Sequence, residues 1–210
     1  SEIRKWIIEN DWLECIVQLP DRMFFNTGIT TYFWIVTNKK LKEREGKIQL
    51  INASSFANSM KKNLGDKSKY ISEEKINELF EIYKTNKENK FSKIYTNDFF
   101  GYTKVIIEQP LIKNGEIKKN RNGNSIPDSS KRDYERIPLS ENIDEYFYRE
   151  VKPYLKDSWM DRSKDKIGYE INFTKYFFEF TKSRSIDEIA SEIKLLDKEI
   201  QELSLEITNG

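Results

Sequence analysis

Residues 13–38 read LECIVQLPDRMFFNTGITTYFWIVTN. Leu13 to Leu19 is a short apolar run that Pro20 ends, and Thr30 to Thr37 is almost entirely β-branched or aromatic. Both patterns predict strands, and the second composition is typical of a strand that is covered on both faces. The connection between them carries two adjacent phenylalanines beside an Asn-Thr-Gly turn. Turns favour Asn and Gly for backbone reasons, but adjacent phenylalanines need a surface to contact.

The composition sets limits on the class of protein. The 210 residues are enough for one ordinary domain or two small ones, and the aromatic content of 13% is too high for a disordered chain. Charged residues make up 34% of the chain, yet the net charge is +1, so any contact with nucleic acid must be local. The single cysteine, Cys15, lies in an apolar strand and predicts a buried structural thiol, which fits a reducing cytoplasm. No signal peptide is visible, and no apolar run approaches membrane length.

The chain contains no histidine, which excludes Ser-His and Cys-His nucleophile pairs and the usual metal sites that use histidine. Its eight glycines never form Gly-x-Gly, so no loop that cradles a nucleotide is present. No two prolines are adjacent. The aspartates at 157, 161 and 165 have no histidine or close carboxylate at a spacing typical of a catalytic site, and they are interpreted as surface residues.

The segment that holds the two phenylalanines closely resembles part of the modification subunit of type I restriction-modification N6-adenine DNA methyltransferases. The similar part is the second half of the methyltransferase domain. Further motifs in the same order resemble that subunit downstream, and the resemblance covers most of the chain apart from residues 112–133. They are Phe100-Gly101-Tyr102-Thr103-Lys104, Glu108-Gln109-Pro110-Leu111, Ile137-Pro138-Leu139, Arg149-Glu150-Val151-Lys152-Pro153-Tyr154 and Ile167-Gly168-Tyr169-Glu170-Ile171.

The resemblance implies an α/β fold class. Residues 1–60 would form the C-terminal end of a doubly wound methyltransferase sheet, with a strand and a terminal antiparallel hairpin. Residues 61–184 would form a mixed α/β extension that contains a mobile loop at 112–133, and residues 185–210 a C-terminal helix. The family's Gly-rich loop for S-adenosylmethionine and its Asn-Pro-Pro-Phe/Tyr motif are both absent, and the chain opens in a helical pattern. We therefore expect a C-terminal fragment that lacks the catalytic half, binds no cofactor and is inactive alone.

Periodicity predicts the remaining elements. We expect helices over residues 1–11, 73–84 with Ser72 as N-cap, and 140–153 with Ser140 as N-cap, and strands at 47–53, 91–95 and 102–108. The strands at 30–37 and 47–53 are predicted to form a hairpin across residues 39–46. Residues 52–70 and 112–133 are interpreted as loops and residues 156–176 as irregular. The basic residues of 112–133 either touch phosphates or form a solvated loop.

Phe24, Phe25 and Asn26 are the candidate residues of a target-base pocket. An N6-adenine methyltransferase must extrude its target adenine, and an aromatic face can stack on the extruded base. The resemblance implies that role for an aromatic residue in this loop, and the spacing to the following strand favours Phe24. The alternative is that both phenylalanines are core residues under the sheet edge.

The C-terminal segment begins with a capping box, Ser185-Ile186-Asp187-Glu188. Its apolar residues then alternate three and four apart, which is the pattern of a heptad seam, at Ile186, Ile189, Ile193, Leu196, Ile200, Leu203 and Ile207. Glu192, Glu199 and Glu206 flank this apolar stripe and favour a basic partner helix. The helix packs either on its own domain or on another chain. The resemblance implies that this region packs on the long helices of the specificity subunit.

These observations support two classes of function. The first is part of a type I DNA methyltransferase that would transfer a methyl group from S-adenosylmethionine to adenine N6 in double-stranded DNA. Its partners would be the specificity and restriction subunits of the same system. In that case this segment supplies one wall of the adenine pocket and an assembly surface. The second is a non-catalytic module for subunit assembly.

Overall fold

The structure is a computed structural model that describes residues 2–178, 180 and 184–209, with side chains up to residue 204. The helices, in chain order, are α1 (Glu2–Glu9), α2 (Glu73–Thr85), α3 (Ile143–Tyr146), α4 (Phe173–Tyr176) and α5 (Ile186–Asn209). The strands are β1 (Leu13–Gln18), β2 (Tyr32–Val36), β3 (Lys47–Asn52), β4 (Asn58–Leu64), β5 (Lys67–Tyr70), β6 (Ser92–Thr96), β7 (Gly101–Glu108), β8 (Ile112–Lys113), β9 (Glu116–Ile117), β10 (Asp133–Pro138) and β11 (Trp159–Tyr169). The chain divides into two units, residues 1–177 and 178–210. Ser1, which the predicted first helix includes, lies outside the described residues.

The first sheet of the larger unit has the strand order β2-β1-β3-β6. β1 runs antiparallel to β2 and parallel to β3, and β3 runs antiparallel to β6. Apolar residues on one face, including Cys15, Val17 and Ile51, pack against Ile82 of α2. On the other face, Leu13, Ile16, Ile48 and Leu50 pack with Ile8 of α1, Phe100, Tyr169 and Phe173. The mixed α/β class is therefore confirmed. The sheet includes β6, and α2 packs on it, although both elements lie beyond residue 60.

The predicted hairpin between residues 30–37 and 47–53 is wrong. β2 and β3 lie on opposite sides of β1, so they do not pair. The connection from β2 to β3 crosses β1 and contains a 3₁₀ turn at Lys42–Arg44, in which Arg44 is buried. The antiparallel hairpin is β1–β2 instead, with Gln18 opposite Tyr32.

The expectation that the second strand is covered on both faces is also wrong for this chain. β2 is an edge strand that pairs with β1 alone, and most of its large apolar side chains are exposed. Tyr32 and Trp34 lie on one face of the strand and Phe33 on the other, since side chains alternate along a strand. The composition suits a covered strand, but the described residues cover it only in part: the Tyr32 ring contacts Phe173, with 5.2 Å between the ring centres, and Ile35 packs against the core.

The second sheet has the order β10-β7-β11, with β7 antiparallel to both neighbours. Its buried face carries Val105, Ile107 and Ile137, which pack against Phe147 and Val151. Both residues belong to the π-helical turn Phe147–Val151 that follows α3. The opposite face is not covered by a helix in the described residues, and the sheet is therefore amphipathic.

Three segments predicted to lack regular structure contain strands. Residues 52–70 form the β4–β5 hairpin, and β11 lies within 156–176. Residues 112–133 contain the β8–β9 hairpin, in which Asn114 and Gly115 both take positive φ, 55° and 81°. This is the turn that Asn-Gly favours, so the segment contains a short hairpin where only a loop was predicted. Asn120 stabilises the rest by accepting hydrogen bonds from the Asn122 and Asn124 N–H groups.

The predicted helices form, with differences at their caps. Ser72 precedes α2, but its hydroxyl makes no capping hydrogen bond. The cap of α3 is Asn142 and not Ser140, because the Asn142 side chain accepts hydrogen bonds from two backbone N–H groups. The predicted capping box at α5 is confirmed, since Ser185 Oγ accepts from the Glu188 N–H at 3.2 Å and the Glu188 carboxylate accepts from the Ser185 N–H at 3.0 Å.

Candidate functional site

The two phenylalanines lie on a tight turn at the tip of the β1–β2 connection. Phe24 and Thr27 form an isolated antiparallel bridge, so Phe25 and Asn26 occupy the two central positions. Phe24 is 47% exposed and Phe25 is 56% exposed, and Asn26 is exposed as well. The alternative that both phenylalanines are core residues is therefore wrong for this chain. The structure brings the three candidate residues together on one turn.

The β4–β5 hairpin holds the backbone of this turn in place. The Phe25 carbonyl accepts a hydrogen bond from the Asp66 N–H at 3.1 Å, and the Arg22 carbonyl accepts from the N–H groups of Ser68 and Lys69. Arg22 has a positive φ of 55°, a conformation that is unfavourable for a residue with a Cβ atom. The two hydrogen bonds to the Arg22 carbonyl offset the cost of this backbone conformation. They form because the turn lies against the β4–β5 hairpin.

Gly65, in the β4–β5 turn, is required by this close approach. Its φ is +60°, and a Cβ atom there would lie 2.9 Å from the Phe25 carbonyl oxygen. The sequence carried a signal for this element, since Gly-Asp between two strands is a two-residue hairpin turn. The lysine-rich composition of 52–70 obscured it, because the alternation of apolar and polar residues is weak there.

Charges around the turn constrain it further. The ammonium group of Lys69 binds the Asp21 carboxylate, and this hydrogen bond holds the pKa of Asp21 below its usual value. The ammonium group of Lys67 lies 5.4 Å from the centre of the Phe25 ring, within cation–π range. In the described part of the chain, no cation or aromatic ring stacks on Phe24. Phe24 is thus the phenylalanine whose ring remains available.

The chemistry of this site is that of a binding surface. It offers an aromatic ring, the Asn26 amide and a hydrogen-bonded backbone, and its nearby Asp21 and Lys69 side chains bind each other. No cluster of three or more His, Cys, Asp or Glu residues that could hold a metal ion occurs among the described residues. Cys15 lies in the sheet core, and burial raises the pKa of its thiol to about 12. The thiol is therefore not a nucleophile at neutral pH.

The stripe predicted on the C-terminal segment lies along α5, in the second unit. Of its members whose side chains are described, all are exposed: Ile186, Ile189, Ile193, Leu196, Ile200 and Leu203. Ile207, the last predicted member, and Glu206 of the acidic flank lie outside the described side chains. Within this unit, the Arg184 guanidinium binds the Glu192 carboxylate. In the described residues, no helix is both long and apolar enough to cross a bilayer.

The fold is that of an α/β protein with an exposed aromatic turn, and comparison with known proteins identifies its family. The N-6 DNA methylase family model matches residues 1–120. That range is more than half of the chain and contains the whole first sheet together with the aromatic turn. The chain belongs to this family.

Individual relatives agree with that assignment. The chain is 28% identical over 121 residues to the methylase subunit of the type I restriction enzyme MjaIX from Methanocaldococcus jannaschii, a match that covers 56% of this chain and 20% of the relative. It is 30% identical over 118 residues to the MjaVII methylase subunit of the same organism, covering 54% and 18%. The chain thus spans about a fifth of the length of these relatives.

A shorter stretch of 53 residues is 42% identical to the HindI methylase subunit of Haemophilus influenzae, covering 25% of this chain and 12% of the relative. Among solved structures, the type I restriction-modification methyltransferase subunit from Streptococcus thermophilus superposes with a TM-score of 0.40 and 22% identity. That superposition covers 47% of this chain and 19% of the other.

Proposed function

We propose that this chain is part of the modification subunit of a type I system, which methylates adenine N6 in double-stranded DNA. Within that subunit, Phe24 stacks on the extruded adenine. The observation that supports this role is a phenylalanine ring that stays exposed on a turn whose backbone is fixed by the β4–β5 hairpin. A preorganised aromatic face loses little entropy when a base stacks on it, and every base presents such a face.

The rest of the reaction needs residues that this chain does not contain. Its 210 residues hold no Gly-rich loop and no Asn-Pro-Pro motif, so S-adenosylmethionine and the amino group of adenine would be bound by the remainder of the subunit. This chain contributes the wall of the base pocket, and alone it would not methylate DNA.

β2 supports the view that the first sheet continues in the full subunit. An exposed edge strand that is apolar on both faces is an aggregation hazard unless another strand or layer covers it. Tyr32, Phe33 and Trp34 give β2 this character. The curated relatives are about five times longer than the matched segment, so they have ample chain to supply that cover.

The test of the base-stacking role uses the full-length subunit assembled with its specificity subunit. Base–aromatic stacking contributes about 1–3 kcal/mol, so Phe24→Ala should slow methylation roughly ten- to a hundredfold while cofactor affinity stays unchanged. Phe24→Leu keeps most of the apolar volume but removes the aromatic face, and it should lose nearly as much activity. Phe25→Leu is the matched control, because Lys67 already lies near that ring.

A Phe24→Leu subunit that methylates DNA at the normal rate would show that only apolar volume matters at this position. A Phe24→Ala subunit that unfolds at a lower temperature yet retains full activity would assign the residue a structural role. Either result removes the stacking proposal, whereas methylation by the 210-residue chain alone would disprove the proposed division of the chemistry.

The competing function is that of an assembly module, and α5 is the observation that favours an assembly role. Its apolar stripe is exposed along the helix, and a stripe spaced at 3.5 residues is typical of a helix that packs on another. We propose a basic-flanked helix of the specificity subunit as the partner. Replacing Ile193 and Ile200 together by Asp should abolish copurification with that subunit and leave the thermal unfolding of residues 1–177 unchanged. Retained copurification would contradict it.

A further inference from the structure

The open face of the second sheet carries a row of three cations. The register of the sheet places Arg136 of β10 opposite Lys104 of β7, and Lys104 opposite Lys166 of β11. Residues that face one another across neighbouring strands point to the same side. Their neighbours on the other side of the sheet, Val105 and Ile137, are buried, so the three cations lie on the solvent side.

The cations of such a row repel one another, and a bound anion would relieve that repulsion. Like charges directly opposite one another on neighbouring strands destabilise a sheet. Glu170 binds Arg136, but neither Lys104 nor Lys166 has an ion-pair partner among the residues that the structure describes. Two of the three cations are therefore not neutralised by an ion pair within the described residues.

Aromatic rings on the same face hold the cations and do not compete for a ligand. The ammonium group of Lys104 lies 3.8 Å from the centre of the Tyr134 ring, and the Arg136 guanidinium lies 5.3 Å from that of Tyr102. Tyr102 also lies against Gly168, where a Cβ atom would come within 2.7 Å of the ring. One face of Tyr102 is thus packed on the sheet. The arrangement suits contacts with phosphate groups more than stacking with bases.

A shallow cavity of about 520 Å³ adjoins the row. It is lined by Lys104, Ile106, Tyr134, Ser163, Lys164, Asp165 and Lys166. The acids near it are bound by neighbouring cations, since Asp165 accepts a hydrogen bond from Arg162 at 2.6 Å and Asp161 accepts one from Lys164 at 2.8 Å. These local pairs limit the repulsion that the two carboxylates would exert on an anionic ligand.

We propose that this cationic row, Arg136-Lys104-Lys166, binds the phosphate backbone of duplex DNA without reading its sequence. Neighbouring strands lie about 4.8 Å apart, so the row spans about 10 Å across the sheet. Successive phosphates of one strand advance about 3.4 Å along the duplex axis, so a row about 10 Å long can contact more than one phosphate of a strand. The choice of DNA as the polyanion rests on the proposed function, and the phosphate contact rests on the sheet.

The test measures binding of the 210-residue chain to a short fluorescent duplex over a range of salt concentrations. Each phosphate contact contributes about 0.9 to the slope of log affinity against log salt, so Lys104→Gln with Lys166→Gln should reduce that slope by about 1.8. The pair should also weaken binding about tenfold at low salt. Because methylation is not measured, this result does not depend on the role of Phe24.

Two matched pairs of variants serve as controls. Lys84→Gln with Lys87→Gln removes two exposed lysines near the end of α2 and should leave the slope unchanged. Lys118→Gln with Lys119→Gln tests the basic segment 112–133 as the alternative contact. All variants should unfold at the same temperature as the natural chain, since none of the replaced side chains is buried.

Three outcomes overturn the proposal. The first is a natural chain that does not bind the duplex at low salt, and the second is an unchanged slope after Lys104 and Lys166 are replaced. The third is tighter binding to a single strand of the same length than to the duplex, which would indicate base stacking. A reduced slope confined to the Lys104 and Lys166 pair supports the cationic row.

Discussion

Replacing Arg44 by methionine tests the polar group that joins the first sheet to α2. The Arg44 side chain is 5% exposed and that of Glu14 is 11% exposed, and their charged atoms lie 3.5 Å apart. The guanidinium also donates to the Gln49 side-chain oxygen at 3.1 Å and to the Tyr83 carbonyl. Methionine fills much of the same volume but supplies neither the charge nor the donors.

The expected cost follows from this burial. Removing one partner of a buried ion pair leaves the other charge uncompensated and costs about 3–5 kcal/mol. Little of that is lost to solvent screening, because both side chains are well below a third exposed. For a chain of this size, a loss of about 4 kcal/mol lowers the melting temperature by about 8–16 °C.

A second substitution identifies the cause of that loss. Adding Glu14→Gln to Arg44→Met removes the uncompensated carboxylate but keeps an oxygen that accepts from the Tyr83 hydroxyl. We expect the double variant to regain about 2 kcal/mol of the free energy of unfolding, measured by urea titration with near-ultraviolet circular dichroism. The Arg44→Met variant would be less stable than the double variant only if the Arg44 and Glu14 side chains are coupled.

The control is Arg149→Met, because Arg149 forms ion pairs with Glu141 and Glu150 while its own side chain is 56% exposed. Exposed pairs contribute little, so this variant should lose less than about 1 kcal/mol. If Arg44→Met loses no more free energy of unfolding than Arg149→Met, burial does not strengthen the Arg44–Glu14 ion pair. The same conclusion follows if Glu14→Gln restores no stability.

Two further perturbations address the sheets. Gly101→Ala should lower the free energy of unfolding by about 1–3 kcal/mol in thermal unfolding, because the new Cβ would lie 2.3 Å from Leu139 Cδ1. Gly28→Ala is the control, because a Cβ there meets open space and should change stability by less than about 0.5 kcal/mol. Equal effects of the two substitutions would contradict the packing at Gly101. Cys15 should resist alkylation at pH 8 until urea unfolds the chain. Since burial raises the pKa of its thiol from 9.0 to about 12, its contribution to stability is present below pH 9 and is lost as the pH rises toward 12. Rapid labelling of the native chain would disprove this.

Local patterns predicted the elements whose signals lie within a few residues. The periodic apolar residues of α1 and α2, the continuous apolar runs of β1 and β7, and the capping box of α5 all form where the sequence indicates. The mixed α/β class and the family were also predicted correctly, because each motif that carries the resemblance is a short continuous stretch of sequence.

Errors occurred where local signals were weak or led to the wrong interpretation. β4, β5 and β11 are rich in lysine and other polar residues, so their alternation is faint, and pairing with a partner strand stabilises them. For residues 112–133, the Asn114-Gly115 signal was correct, but the lack of flanking apolar residues led to its rejection. In that hairpin the turn conformation itself outweighs the poor flanks.

The sequence by itself determined the strongly patterned helices and strands, such as α1, α2, β1 and β7, and placed Phe24, Phe25 and Asn26 on one turn. Only the tertiary structure decided that β2 is an edge strand, that the β4–β5 hairpin holds the aromatic turn, and that Lys104, Arg136 and Lys166 share one row. The physical reason is distance along the chain. Helix periods and turn preferences are set by neighbouring residues, whereas strand order and register depend on contacts between residues that are far apart in the chain, which no local pattern encodes.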